Sequence, residues 1–378
     1  MLGPLQSLAM EMSDIQAQAS LVLWAAFAVA FVFGVVAQRT HFCTMGAISD
    51  IVNMGDWTRL RMWGMAAGVA MLGFYGMAAL GWIDPTQTIY SGSRVLWLSA
   101  LVGGALFGFG MVLASGCGSK TLVRIGAGNL KSLVVFFVMG LAAYATLSGV
   151  TAVLRHQTID QVALHLDGSS ALPLWLAGQW GAPGAALGLA GLVGVALIAW
   201  ALASRDFRSS LDNPLAGIGI GVTVVALWWV TGVLAFVPEH PETLEAVFLT
   251  TDTGVMESLT FTAPMAYALE WLIFFSDAAM VLTIGVVSVL GVVLGSLAYA
   301  LLSRGFHWEG FRSTQDTALH LVGAVCMGVG GVTAMGCTIG QGLSGLSTLS
   351  LGSLIAVAGI GLGAVGGLRF QIWLLERG

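Results

Sequence analysis

Three cysteines carry the chemistry this sequence offers, and each lies in a polar or glycine-bearing stretch between long apolar runs. Cys43 ends QRTHFC (38–43), Cys117 lies in ASGCGSKTLVR (114–124), and Cys337 lies in TAMGCTIGQGLSG (333–345). A neutral thiol is a weak S–H donor and a soft, polarizable surface. It neither repels an anion nor traps one as a guanidinium would. Gly116 and Gly336 precede two of these thiols, and glycine lets backbone approach a ligand closely. Thr338, Gly340 and Gln341 follow the third and add polar groups. Arg39, Lys120 and Arg124 flank the first two and would attract an anion, or simply enforce topology. There is no CxxC, no Cys/His spacing suited to zinc and no pattern of a disulfide framework, so no metal or other cofactor is expected.

The elements that hold these residues must lie in a membrane. Of 378 residues, 57% are hydrophobic and 9% charged, far from the ~25% charged of a soluble domain. Runs such as LVLWAAFAVAFVFGVV approach the ~20 apolar residues that cross a bilayer. The pattern predicts nine spans, at 21–38, 60–82, 93–114, 130–153, 184–203, 214–236, 278–303, 317–335 and 351–375. The first twenty residues hold Glu11 and Asp14 but no Lys or Arg, which argues against a cleaved signal peptide. With the N-terminus outside and the C-terminus inside, most Lys and Arg fall on the cytoplasmic side, and only Arg94 and Arg155 fall outside. Trp57, Trp82, Trp97, Trp228, Trp229 and Trp308 suit interfacial belts. No ATP-binding motif is present, and nothing points to nucleic acid.

Four leftover segments are too apolar for ordinary loops: THFCTMGAISDIV, GCGSKTLVRIGAG, ESLTFTAPMA and GCTIGQGLSGLSTLS. Each is short enough to re-enter the membrane without crossing it. LVGGALFGFGMVLASGC (101–117) and LVGAVCMGVGGVTAMGC (321–337) match at an offset of 220, and both end on Gly-Cys. The copies enter from opposite sides, which predicts an inverted-topology repeat, as in many transporters. Its halves are 21–153 and 214–378, joined by 154–213 with one span. The expected fold is therefore an all-α polytopic membrane protein with four broken-helix loops. Such loops survive at membrane depth only when buried in protein or lining a cavity. The fourth-equivalent position in SLTFTAP would be Thr262 or Ala263. Cys326, in mid-span, is read as packing and His41 as a polar lining residue, while Glu270 and Asp277 are interfacial or functional.

QRTHFC, ASGCGSKTLVR and AMGCTIGQG resemble the three cysteine motifs of the YeeE/YedE family, and the resemblance covers most of the chain. That family includes thiosulfate uptake proteins of bacterial inner membranes. The resemblance implies an hourglass of nine spans with four central loops. It also implies that the essential thiols fall on Cys43, Cys117 and Cys337, which pass thiosulfate along by S–H···S contacts without covalent chemistry, so the chain is not an enzyme. A cytoplasmic sulfur carrier of the TusA type is the partner it implies. Three departures stand out: Ser49 where the family often has arginine, Lys120 where a small residue is usual, and Met335 where glycine is common. Relatives linked to selenium keep other sulfur and selenium compounds open as substrates. A membrane thiol-redox protein is the other reading of cysteines on both faces.

Overall fold

The computed structural model describes residues 3–180, 184–241, 244–277 and 280–377. Its helices are α1 (Gly3–Thr40), α2 (Thr44–Met54), α3 (Thr58–Ala79), α4 (Trp97–Leu113), α5 (Gly118–Gly126), α6 (Leu130–Ser148), α7 (Val150–Gln157), α8 (Leu172–Trp180), α9 (Gly184–Leu202), α10 (Arg205–Ser209), α11 (Asp212–Trp229), α12 (Thr262–Ile273), α13 (Ile284–Leu302), α14 (Thr314–Thr333) and α15 (Leu351–Arg377). Two short ribbons, β1 (Arg94–Val95) with β2 (Leu164–His165) and β3 (Phe236–Val237) with β4 (Val247–Phe248), tie loops at the ends of the bundle.

Nine candidate spans are long and apolar enough to cross a membrane among the described residues. The chain is an all-α polytopic membrane protein. The spans fall where hydropathy put them, with differences at their edges. The first helix starts at Gly3 rather than 21 and is 38 residues long, about 57 Å at 1.5 Å per residue. The span expected at 130–153 divides at Gly149, whose extended φ and ψ end α6 and start α7. The seventh begins at Ile284; positions 278 and 279 of the range expected for it lie outside the described residues.

Small residues decide how the spans pack, as expected where lipid supplies no hydrophobic drive between helices. A Cβ on Gly103 would stand 2.8 Å from the carbonyl oxygen of Gly330, and one on Gly323 would stand 2.6 Å from that of Gly110. So α4 and α14 cross backbone on backbone, with the same contact made twice in opposite sense. The neighbours repeat this reciprocity. α15 packs along α4 as α6 packs along α14, and α1 packs along α13 as α11 packs along α3. Cys326 lies in the α4–α14 seam, its Cβ facing Gly110, which fits packing.

One end of the bundle is basic. There Lys131 pairs with Asp316 at 2.9 Å and Glu309 at 3.5 Å, and Arg59 pairs with Asp50 at 3.3 Å. At the other end Arg155 pairs with Asp160 at 2.9 Å, and Arg94 donates to the Asp160 carbonyl at 2.7 Å.

Candidate functional site

Four short helical segments start deep in the bundle, and Cys43, Cys117, Phe261 and Cys337 stand immediately before them. The first start follows α1. His41 adopts a left-handed φ of 51°, and Cys43 caps α2 with its Sγ, 3.4 Å from the Gly46 N–H. The second follows α4. Ser115 is left-handed (φ 57°), its N–H bonds Val112 O at 3.1 Å, and the Gly116 N–H bonds Met111 O at 2.8 Å. This is the Schellman pattern that closes a helix C-terminus. Cys117 then leads into α5, its Sγ 3.3 Å from Ser119 Oγ.

The end of α14 repeats the turn. Met335 is left-handed (φ 56°), its N–H bonds Val332 O at 3.0 Å, and the Gly336 N–H bonds Gly331 O at 2.8 Å. Gly336 has φ 156°, outside the range a side chain tolerates well, so a glycine is required there. Cys337 Sγ accepts from the Gly340 N–H at 3.4 Å, and the chain winds on as a π-helix over Gly340–Gly345. Tyr90 holds that segment by donating to Gly340 O at 2.8 Å.

The remaining start, α12, is reached differently. Residues 257–261 form no regular element and are fixed by Ser258 Oγ donating to Val224 O and Ser344 Oγ donating to Leu259 O. Phe261 stands at the cap and Thr262 is the first helical residue, so Phe261 holds the position Cys43 holds in α2. The expected equivalent, Thr262 or Ala263, is one or two residues late.

These four starts form a ring. Cys117 lies within electrostatic reach of both Cys43 and Cys337. Phe261 packs near Gly118, and its N–H is directed to Cys337 Sγ. Thr260 Oγ1 is 4.0 Å from the same sulfur, while Thr44 and Thr338 line one shared cavity. The free N–H groups at each helix start carry partial positive charge. Cys117 and Cys337 are buried and Cys43 is half-buried, and all four cysteines are free thiols.

The other expected residues divide. Lys120 sits beside Gly116, within reach of Cys43, Cys117, His41, Arg59 and Arg124. Among the described residues it has no carboxylate at salt-bridge distance. Arg124 donates to Ser115 O at 2.7 Å, bracing the turn before Cys117. Arg39 is drawn off to Asp212 at 3.2 Å on the surface, with both side chains about half exposed. Thr338 and Gln341 are buried; Gln341 Nε2 donates to Ala334 O at 2.6 Å, tying the segment to the turn before Cys337. Glu270 accepts from Tyr144 at 3.0 Å on α12.

Sequence reasoning missed an acidic pair outside the candidate spans. Glu257, 5% exposed, accepts from Asp252 N–H at 2.9 Å and Thr253 Oγ1 at 3.0 Å. Burial first, and the Asp252 charge second, push its carboxyl above the ordinary carboxylate range. Burial raises Asp252 as well, against hydrogen bonds from Thr283 and Gly285. The run TDTGVMES gave no periodicity to flag them.

The sulphur transport family profile matches residues 39–366. The chain is 28% identical over 320 residues to the thiosulfate transporter TsuA of Escherichia coli (strain K12), covering 82% of this chain and 83% of that protein. It is 25% identical over 357 residues to TsuA of Spirochaeta thermophila, covering 89% and 94%. A shorter match, 29% over 100 residues, covers 26% of this chain and 23% of the probable transporter YedE of E. coli. The profile spans the region from the end of α1 into α15 and includes all four helix starts, so the chain belongs to the sulphur transport family.

Proposed function

We propose that this protein takes up thiosulfate or a related small sulfur anion across the bacterial inner membrane, through the ring of four helix starts. The single observation that carries this reading is the chain of three free thiols, Cys43, Cys117 and Cys337, at the deep ends of helices whose N–H groups face inward. Stripping a dianion of water costs tens of kcal/mol on a Born estimate. Helix N-termini supply distributed positive charge, and thiols supply soft contacts too weak to hold the ion. The sulfur end of the substrate passes from thiol to thiol and no covalent bond forms. Gly116 and Gly336 close the turns that present Cys117 and Cys337, Thr260 fills the space beside Gly340, and Gln341 offers a polar contact next to the third thiol.

The basic end is cytoplasmic by the distribution of Lys and Arg. Lys120 and Arg124 then draw the anion inward, with Arg39 at the rim, and a TusA-like carrier collects the sulfur there. The half-repeats 21–153 and 214–378 each contribute two starts.

The test is uptake of radiolabelled thiosulfate by cells lacking other routes, comparing wild type with Cys337→Ala at equal membrane expression. Uptake that needs the thiol supports the reading. Equal uptake by both discards the thiol relay. Uptake by neither turns the search to other sulfur and selenium anions.

A further inference from the structure

Behind the segments that follow Cys43 and Cys337 lies a cavity of about 410 Å³. Trp63 on α3 and Trp200 on α9 form one wall, Gly361 on α15 the other, and Thr44 and Thr338 the floor. α9 packs on α3 and α15 packs on α4, so the cavity is a groove between α9 and α15.

The protein leaves this groove unfinished. Its lining is otherwise apolar, with Ile48, Leu60, Leu197, Leu346, Val357 and Ile360 around it. Thr338 is 2% exposed. The reciprocal place in the other half is filled. There a side chain on Gly118 would meet Met139 and Met265, at 3.2 and 3.6 Å, and one on Gly140 would meet Leu269 at 2.5 Å. On this side a Cβ at Gly361 would meet nothing within 4 Å. α2 presents Ala47 and Ile48 here, where α12 presents Met265 and Leu269.

The mouth of the groove is cationic. The Arg61 guanidinium lies over the Trp200 ring, 4.7 Å from its centroid, and donates to the Trp200 carbonyl. Arg205 and Arg208 follow on α10, which packs against α3 and α9. Among the described residues none of the three has a carboxylate at salt-bridge distance. The depth also fits. α2 runs 11 residues from Thr44 toward the basic end, about 16 Å, close to half of a hydrocarbon core about 30 Å thick.

We propose that the groove between α9 and α15 binds one anionic phospholipid, with its phosphate at Arg61, Arg205 and Arg208 and one acyl chain lying on Thr44 and Thr338. A chain there replaces a void with dispersion contacts. It also backs the Cys43 and Cys337 segments, because Thr44 and Thr338 directly follow those thiols. Their counterparts at α5 and α12 are backed by methionine. The site does not depend on which anion is carried.

Native mass spectrometry of the full-length protein in detergent tests this, with phosphatidylglycerol and phosphatidylethanolamine added in equal amounts. Wild type retains one phosphatidylglycerol in preference. Arg61→Gln lowers retention about five-fold, the scale of one surface arginine facing anionic lipid. Gly361→Leu, whose side chain grows into open space, abolishes it. Equal retention of both lipids, or of neither, overturns the proposal. So does wild-type retention by either variant. Should Gly361→Leu fail to fold, Arg205→Gln, which changes an exposed side chain, decides alone with a loss of the same scale expected.

Discussion

The turns that end α4 and α14 are near copies, yet the segments that follow them differ. Both turns place a non-glycine residue in the left-handed region, close with the same pair of hydrogen bonds and present Gly-Cys to the centre. After Cys117 the chain forms α5, which carries Lys120 and Arg124 toward the basic end. After Cys337 it forms a buried, uncharged π-helix pinned by Tyr90 and Gln341. Near that π-helix lies the Asp252–Glu257 pair, since Glu257 is within electrostatic reach of Tyr90. The comparison separates two roles. The turn and its thiol are common to both segments and are the contact in the proposed function, while the following helix sets the charge around it. One side is cationic, the other neutral and edged by acid.

The largest effect should come from removing what the two segments share. Losing a hydrogen-bond partner to an ion costs roughly 1.5–3 kcal/mol, so Cys117→Ala and Cys337→Ala should each cut thiosulfate uptake about ten- to hundred-fold. Cys326→Ala, in the α4–α14 seam, should leave it unchanged. If all three behave alike in uptake assays at matched expression, the thiols at the turns are not special.

Removing the difference should cost less. Lys120→Met removes one of the two cations of α5 and leaves Arg124. Initial uptake into liposomes should fall roughly ten-fold at low ionic strength. The gap should narrow at high salt, where the Debye length shrinks to about 3 Å at 1 M. A salt-independent loss would assign Lys120 to packing.

The acid pair gives a pH signature in stability. Because burial raises the Glu257 carboxyl above its unfolded value, the folded state holds the proton more tightly. That contribution is complete below the ordinary carboxylate range and is lost as pH rises through the folded pKa. Thermal stability should therefore decline from mildly acid toward alkaline pH, by roughly 2–4 °C for each kcal/mol lost. Glu257→Gln should flatten the slope in a melting series. An unchanged slope would mean that the carboxyl ionises as it does when unfolded.

The smallest effect tests whether the turns are equal. Ser115→Gly and Met335→Gly each relieve a left-handed non-glycine residue, worth about 1–2 kcal/mol. Each also adds unfolded-state freedom worth roughly 0.5–1 kcal/mol. The net gain should be small and the same at both sites in melting temperature. Unequal shifts would show that one turn is strained by its neighbours.

Much of this was legible in the sequence because it is local. Apolar runs located the spans, and Gly-Cys at a fixed spacing located two of the turns. The rest depends on distant partners. Arg39 reads as a free cation until Asp212, 173 positions away, is brought beside it. Phe261 as the fourth cap was hidden because irregular chain, not a helix and a turn, leads into α12. The groove is assembled from separate elements, and only packing reveals that Gly361 is open where Gly140 is covered.

The π-helix at Gly340–Gly345 also records how the halves keep count. Gly108 packs on Ile360 and Ala364, and its counterpart Gly328, 220 positions later, packs on Met139 and Ala143. Ile360 lies 221 positions after Met139, and Ala364 lies 221 after Ala143. The stretch between the thiol and the next long helix is one residue longer here than after Cys117, and the wider winding takes up that residue without shifting the helix beyond. A single deletion within the π-segment should make the two counts equal with α15 still in register.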